Sequence, residues 1–504
     1  MKKLHKWPSL LIAVFLVLWA ISGIILNHRY TFSSFDVDRS LLPKEHQYSN
    51  WNNAALKGAV RLDSLRVLFY GNVGVWEYDE IKDQWVDFNA GLPGGADHHK
   101  INCLLKTSTS DLYAGTRFGL YHFIKGEQKW VSVQVPHHDE HVVDLLELND
   151  SLMIMTRSHL WKIPLVGTAD FTYVTIPAPL GYDNNIGLFK TLWVIHSGEI
   201  YGIAGKLLVD AVAAIFIFLT LSGLVYFFSP RIIRNRKKND KEIKRISLWN
   251  RWSIKWHNKI GVWLVLILLV TTFTGMFLRP PLLIAIASGR VGKIPYSVLD
   301  DGNPWYDQLR RLIYDVERDK IYLATSEGIF QTDTEFTSSP EFSYPQPPVS
   351  VMGYNVFTVQ PDGKILVGSF SGMYAWDPDN NFVQDYISRR PYTSPIGLAN
   401  PIGSNMISGY YMDAKAREYI FDYNRGALSF DHRSRFPEMP EKIRNSRMPL
   451  WNFALEMHTA RLLKPMLGDF YILFIPLFGL STLMILISGL ILWIRKYNRR
   501  RRYK

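Results

Sequence analysis

The sequence predicts a membrane protein: a four-helix transmembrane bundle made of two repeated helix pairs, plus an all-β, propeller-like periplasmic domain built from two insertions. Three observations predict it. Segments at roughly 8–27, 206–228, 260–279 and 470–494 are apolar over spanning length, about 20 residues for a ~30 Å hydrocarbon core. The stretches beginning at His5 and His257 repeat one pattern at one spacing. The two long segments between spans repeat short strand-and-turn units at a period of roughly 35–45 residues, as stacked β modules do.

Composition narrows the chemistry. The 504 residues are 47% hydrophobic and 20% charged, with a net charge of +12. A mean hydropathy near zero averages very apolar blocks with ordinary polar ones. Cys103 is the single cysteine. An intrachain disulfide, a cysteine-based zinc site and an iron–sulfur cluster are therefore excluded. Histidine, with 14 copies, is the soft-metal ligand that remains.

In chain order, residues 1–29 form the first span. "KLHKWPSLLIAVFLVLWAISGIILNHRY" is too long for a signal-peptide core and lacks a small-residue cleavage site, so it reads as a retained anchor. Residues 30–190 are the first β insertion, with strand–turn units at 65–88, 101–133 and 142–165. Residues 191–230 are the second span, 231–250 a basic loop containing "RIIRNRKKNDKEIKR", and 251–280 the third span. Residues 281–450 are the second β insertion, with units at 309–333, 356–386 and a weaker one at 404–430. Residues 451–494 are the fourth span and 495–504, "RKYNRRRRYK", a basic tail. Three units from each insertion are expected to close one shared domain, because half a propeller leaves unburied sheet faces. The Lys/Arg bias puts both termini and the basic loop in the cytoplasm of a bacterium, the insertions in the periplasm and the spans in the inner membrane. Basic runs directly against spans read as topology signals and anionic-lipid contacts, not nucleic-acid sites.

The duplication points to a cofactor. Aligning His5 with His257 puts Ser22-Gly23 over Thr274-Gly275, each glycine 18 residues after its histidine. His196 falls over His458 and Ser222-Gly223 over Ser488-Gly489, at looser spacings of 27 and 31 residues. The extra turn falls near Pro465 and Gly468. Two halves of one topology imply a pseudo-twofold along the membrane normal, pairing His5 with His257 at one face and His196 with His458 at the other. Eighteen residues are about five helical turns, so His5 and Gly23 share a helix face. Imidazole is a good iron ligand, and a haem between helices needs axial ligands and a slot. Singly, each histidine reads as an interfacial anchor and each Ser-Gly as a packing site. As two repeated pairs they read as axial ligands of two haem b groups. His28 aligns with Pro280, has no repeat counterpart, and lies about 140° round the helix from His5. It competes with His196 as a ligand or merely ends the helix.

"LHKWPSLL…AISGIIL", "WHNKIGVWLVLILLVTTFTGMFL", "IHSGEIYGIAGKLLVD…LSGLVYFF" and "MHTARLLKP…ISGLILWI" resemble the PepSY-associated transmembrane family of bacteria. That family includes di-haem inner-membrane reductases of ferric siderophores. The resemblance implies His5, His196, His257 and His458 as haem ligands and a ferric siderophore or metal substrate. No PepSY module is legible in the insertions, where "GLPGG" and "YAGTRFGLYHF" instead resemble repeats of periplasmic two-component-regulator propellers. The expectation is a ferric-reductase-like electron-transfer protein. No flavin or nicotinamide domain is legible, so electrons are expected from quinol or another membrane donor. The alternative is a non-enzymatic membrane-anchored propeller acting as receptor, sensor or accessory binding protein. "PHHDEH" (136–141) and "DHH" (97–99) hold ligand-type residues at close spacing, His137, His138, Asp139 and His141 among them. A solvated polar loop is the favoured reading of both.

Overall fold

A computed structural model describes residues 1–136, 141–167, 170–350, 353–393, 403–431 and 434–501. The chain divides into a helical unit (Met1–Phe32, Asn184–Asp301, Leu450–Lys504) and a β-rich unit (Ser33–Asp183, Gly302–Pro449).

The helical unit contains α1 (Lys2–Asn27), α2 (Leu188–Ser197), α3 (Gly202–Lys238), α4 (Lys244–Trp263), α5 (Val265–Met276), α6 (Leu450–His458) and α7 (Phe474–Arg501). Among the described residues three stretches are long and apolar enough to cross a membrane: Lys2–Asn27, Glu199–Lys238 and Arg461–Asn498. The expected third span is instead a pair, α4 and α5, bent by 68° and passing that test only together. Its first half carries Arg251, Lys255 and Lys259, so it becomes apolar only near the break. The basic segment 231–250 is mostly helix, since α3 runs to Lys238 and α4 starts at Lys244. α1 packs on α3, α6 and α7, while α5 packs on α2 and α7.

Both returning spans are interrupted just after a histidine. α2 ends at His196-Ser197, and Gly198 follows at φ +78°. A Cβ there would lie 2.1 Å from the Gly205 carbonyl oxygen, so only glycine allows this left-handed stop. α6 ends at His458, and Ala460 at φ 58° turns the chain. Short turns at Arg461–Leu463, Lys464–Leu467 and Gly468–Leu473 then lead into α7. Residues before Asp301 stay with the helical unit, where Arg290–Gly292 pairs with Asn185–Gly187.

Among the described residues the β-rich unit holds six antiparallel meander sheets, besides the short pair Asp36–Val37 with Met448–Pro449. Sheets 1, 2 and 3 begin at Gly58–Arg61, Ile101–Lys106 and Val142–Leu148 in the first insertion. Sheets 4, 5 and 6 begin at Leu309–Asp315, Val356–Val359 and Ile407–Met412 in the second. Five have four strands and the sixth has three. Each sheet contacts the next, and sheet 6 contacts sheet 1, giving a closed propeller-like ring. A separate hydrophobic cluster fills every junction. Phe69 and Trp76 meet Phe421 between sheets 1 and 6, and Met155 meets Leu312 and Leu323 between sheets 3 and 4. The recurring "GLY", "GIF" and "GMY" phrases are one turn: Gly119, Gly328 and Gly372 all take φ between +135° and +143°.

The chain leaves and re-enters this ring, so two junctions join the separate insertions. At sheets 3 and 4, buried Asp144 sits 3.2 Å from Arg311 Nε and accepts the Leu312 N–H at 2.8 Å. The neighbouring carboxylate keeps Arg311 charged despite its burial. At sheets 6 and 1, Asn53 N–H donates to the Tyr423 carbonyl at 2.7 Å and Ala427 N–H to the Asn50 carbonyl at 2.9 Å.

Candidate functional site: two histidine pairs

The helical unit brings the four repeated histidines together in two pairs. The ring centroids of His5 and His257 are 6.2 Å apart, with planes crossed at 85°. Those of His196 and His458 are also 6.2 Å apart, crossed at 58°. The pairs mark opposite ends of α1: His5 opens that helix, while Gly23 lies against His458. Eighteen residues at 1.5 Å rise separate the two levels by about 27 Å.

One local device seats all four rings. His5 Nδ1 is 3.0 Å from the Ile485 carbonyl and His196 Nδ1 2.9 Å from that of Thr271. At His257 and His458 a serine hydroxyl intervenes: Ser222 Oγ donates to the Leu219 carbonyl and Ser22 Oγ to the Trp19 carbonyl, both at 3.1 Å. Each carbonyl belongs to the residue three before the Ser or Thr of a Ser/Thr-Gly pair. The serines add their hydroxyls, with Ser222 Oγ 2.9 Å from His257 Nδ1 and Ser22 Oγ 3.0 Å from His458 Nδ1. Ser488 Oγ stands farther off, 3.4 Å from His5 Nδ1. Thr274 differs, turning its hydroxyl to the Val270 and Thr271 carbonyls. A carbonyl only accepts, and the Ser222 and Ser22 hydroxyls already donate to carbonyls, so the proton of each ring sits on Nδ1. That leaves every Nε2 with a bare lone pair and, among the described residues, no hydrogen bond. Such an imidazole, oriented through its other nitrogen, is ready to bind a metal.

The glycines serve the imidazoles directly. A Cβ on Gly275 would meet His196 Cε1 at 2.6 Å and one on Gly489 would meet His5 Cε1 at 3.0 Å. On Gly23 and Gly223 the same contact, to His458 and His257, would be an ordinary 3.5 Å. Each missing Cβ makes room for an imidazole ring.

His28 is placed with neither pair. Its Nε2 lies 2.5 Å from Asp210 Oδ2 on α3. Asp210 is a carboxylate inside the apolar stretch "LLVDAVAAIF", and that lone acid was the legible signal for a partner of His28.

The two other histidine-rich stretches diverge. His137, His138 and Asp139 lie outside the described residues; His141 Nδ1 is 3.2 Å from Arg117 Nη1. In "DHH", Asp97 pairs with Lys100 at 2.9 Å, and His98 bonds Ser33 Oγ at 2.9 Å and packs on Phe118. Among the described residues no three His, Cys, Asp or Glu side chains are grouped to hold a metal ion. Burial pushes His98 and His99 below the usual value of 6.5. Folding holds both rings neutral, so their stabilisation is full above about pH 6.5 and is lost as pH falls through the depressed values. Hydrogen exchange at residues 95–101 is therefore expected to speed up at pH 5 relative to pH 7.5 by more than the change in intrinsic rate.

The family model described as PepSY-associated TM region matches residues 2–496. No curated protein matches the chain. Similar solved structures include the extracellular domain of a Bacteroides thetaiotaomicron protein assigned as a hybrid two-component system, at 11% identity and TM-score 0.37, covering 77% of this chain and 34% of that one. A B. thetaiotaomicron protein of unknown function shows 11% identity and TM-score 0.36, covering 78% and 71%. Streptogramin B lyase shows 11% identity and TM-score 0.31, covering 75% and 93%. The chain thus spans about a third of the first of these. The sheet pairings, and not these likenesses, define the β-rich unit.

Proposed function

We propose, from the premise that this chain belongs to the PepSY-associated TM family, that it is a di-haem electron carrier of the bacterial inner membrane that reduces a ferric substrate in the periplasm. The observation that carries this reading is the pair of 6.2 Å imidazole separations with all four Nε2 lone pairs free. A metal–nitrogen bond of about 2.0–2.1 Å, plus ~1.1 Å from nitrogen to ring centre, puts two trans imidazoles about 6.3 Å apart. Each pair supplies two ligands, and no third ligand-type side chain groups with them among the described residues. The other coordination positions then fall to a macrocycle, and haem b is the group that fits.

In this reading His5 and His257 hold one haem near the cytoplasmic face, and His196 and His458 hold the other near the periplasmic face. The bent pair α4–α5 serves as the fourth span. When bound, haem supplies reversible one-electron chemistry. The chain's own residues fix the ligand rings through Nδ1, hold the two sites at opposite ends of α1, and surround them with apolar helix. With no nicotinamide or flavin domain legible, quinol is the donor class proposed, and a ferric siderophore the acceptor class. The propeller-like unit is proposed to lie in the periplasm.

The glycine seats give a graded test. Gly275→Ala is expected to displace His196 and lower bound haem by more than a third. Gly223→Ala, with room for a methyl, is expected to change it by less than a tenth. Pyridine haemochrome assay of both purified variants measures this; equal haem in the two counts against His196 as a ligand.

A further inference from the structure

α1 ends between the two short helices that carry His196 and His458. Trp451 of α6 donates its indole N–H to the Leu26 carbonyl at 3.1 Å. Asn27 donates from one amide nitrogen to the Ser197 carbonyl at 3.1 Å and to Asp210 Oδ1 at 3.2 Å. The other Asp210 oxygen receives His28 Nε2 at 2.5 Å. A single polar chain therefore runs His28–Asp210–Asn27–Ser197 and reaches the residue bonded to His196. Asp210 is 16% exposed and His28 29%, and both lie at the end of an apolar helix pair. A carboxylate in such a place is costly and reads as functional, with its partner named.

We propose that the His28–Asp210 pair is the proton acceptor coupled to the electron that enters the His196–His458 site. This rests on the di-haem reading. An electron arriving at a site walled from water adds a negative charge that a nearby proton can offset. Neutral His28 donates its Nε2–H to Asp210. On reduction, one electron comes from the membrane donor and one proton from external water. The proton bonds to His28 Nδ1, and the resulting imidazolium stays paired with the Asp210 carboxylate. On oxidation both leave, so charge and atoms balance. Asp210 sets the tautomer of His28 through this contact.

Other titratable groups stand on the elements around this pair. Arg29 lies over the Trp451 ring at 3.9 Å, and Glu456 of α6 pairs with Arg461. Lys206 is one turn before Asp210 on α3, Glu199 and Tyr201 are on the turn before α3, Lys190 is on α2, and Tyr30 follows Arg29. The basic residues of α4 and α7 belong to the His5 end. His28 and Asp210 are joined to the residue bonded to His196 by way of Asn27 and Ser197.

The test is spectroelectrochemical titration of the whole chain in nanodiscs from pH 5.5 to 8.5. The outer haem is identified as the component missing from His458→Ala. In the native chain its midpoint is expected to fall by up to about 59 mV per pH unit, one tenfold change in proton concentration for one electron. His28→Gln and Asp210→Asn are both expected to keep the haem and flatten that slope to less than a third, while the inner haem's slope stays unchanged. A structural role alone moves the midpoint or the haem content, not the slope. A native midpoint independent of pH, or a full slope in haem-loaded His28→Gln, overturns the proposal and leaves the di-haem reading intact. Absence of haem from the native chain overturns that reading instead.

Discussion

His257→Ala retains about half of the native haem, and His5→Ala does the same, while the doubly substituted chain is no worse than either. The di-haem proposal expects this result, because it makes the two rings, 6.2 Å apart, partners of one site. With one imidazole removed, the single remaining histidine would hold a haem too weakly to retain it through purification. The remaining ring stays seated, since His5 Nδ1 is bonded to Ile485 and His257 Nδ1 to Ser222 whichever partner is cut. The second site, about 27 Å away along α1, shares no ligand with the first and keeps its haem. The effects of His5 and His257 are thus non-additive with each other and additive with those of His458, as expected for shared and unshared sites. Haem-to-protein ratio across these single and double variants is the measurement. Additive losses from His5→Ala and His257→Ala contradict the pairing.

Asp144→Asn destabilises the β-rich unit by about 3–5 kcal/mol, the usual cost of stranding one charge of a buried pair. Arg311 is buried and its guanidinium stays charged beside Asp144, so the amide leaves a cation without its counter-charge. The position matters as much as the energy. Asp144 belongs to the first insertion and Arg311 to the second, and the chain runs through the helical unit between them. Nothing covalent holds that junction locally. Loss of the pair is expected to open the ring there, so hydrogen exchange at 142–148 and 309–315 rises before exchange at 356–376. The double change Asp144→Leu with Arg311→Met, apolar on both sides, is expected to recover most of the loss. Denaturation midpoints of the three chains in detergent measure this; an unchanged midpoint in Asp144→Asn removes Asp144 as the junction's anchor.

Much of this was legible in the residues. The 18-residue spacing in both halves already places a histidine and a glycine on one helix face, and the twofold then dictates which histidine meets which. The strand–turn units were legible because three of them repeat one turn with a positive-φ glycine, at Gly119, Gly328 and Gly372, and six such units fall three to an insertion. Other features were not. The break after Trp263 has no proline, and Gly261, two residues before it, lies in an apolar run that reads as continuous helix. The interruptions at Gly198 and Ala460 follow from backbone turns that an apolar count does not see; the 27- and 31-residue spacings recorded them only as looseness. Asp210 was visible as a single acid in an apolar run, but its partner, His28, lies 182 residues away. The contact of each of these glycines with an imidazole was not legible, because a sequence does not show which side chain a missing Cβ makes room for.

The most direct test of the central claim is the visible spectrum and haem stoichiometry of the whole chain, purified from a haem-replete host. The account predicts close to two haems b per chain, a sharp Soret band and reducible α-bands typical of two imidazole ligands. Haem well below stoichiometry, or a flat visible spectrum in a folded chain loaded under those conditions, would contradict it and leave a membrane-anchored β-rich protein with another task.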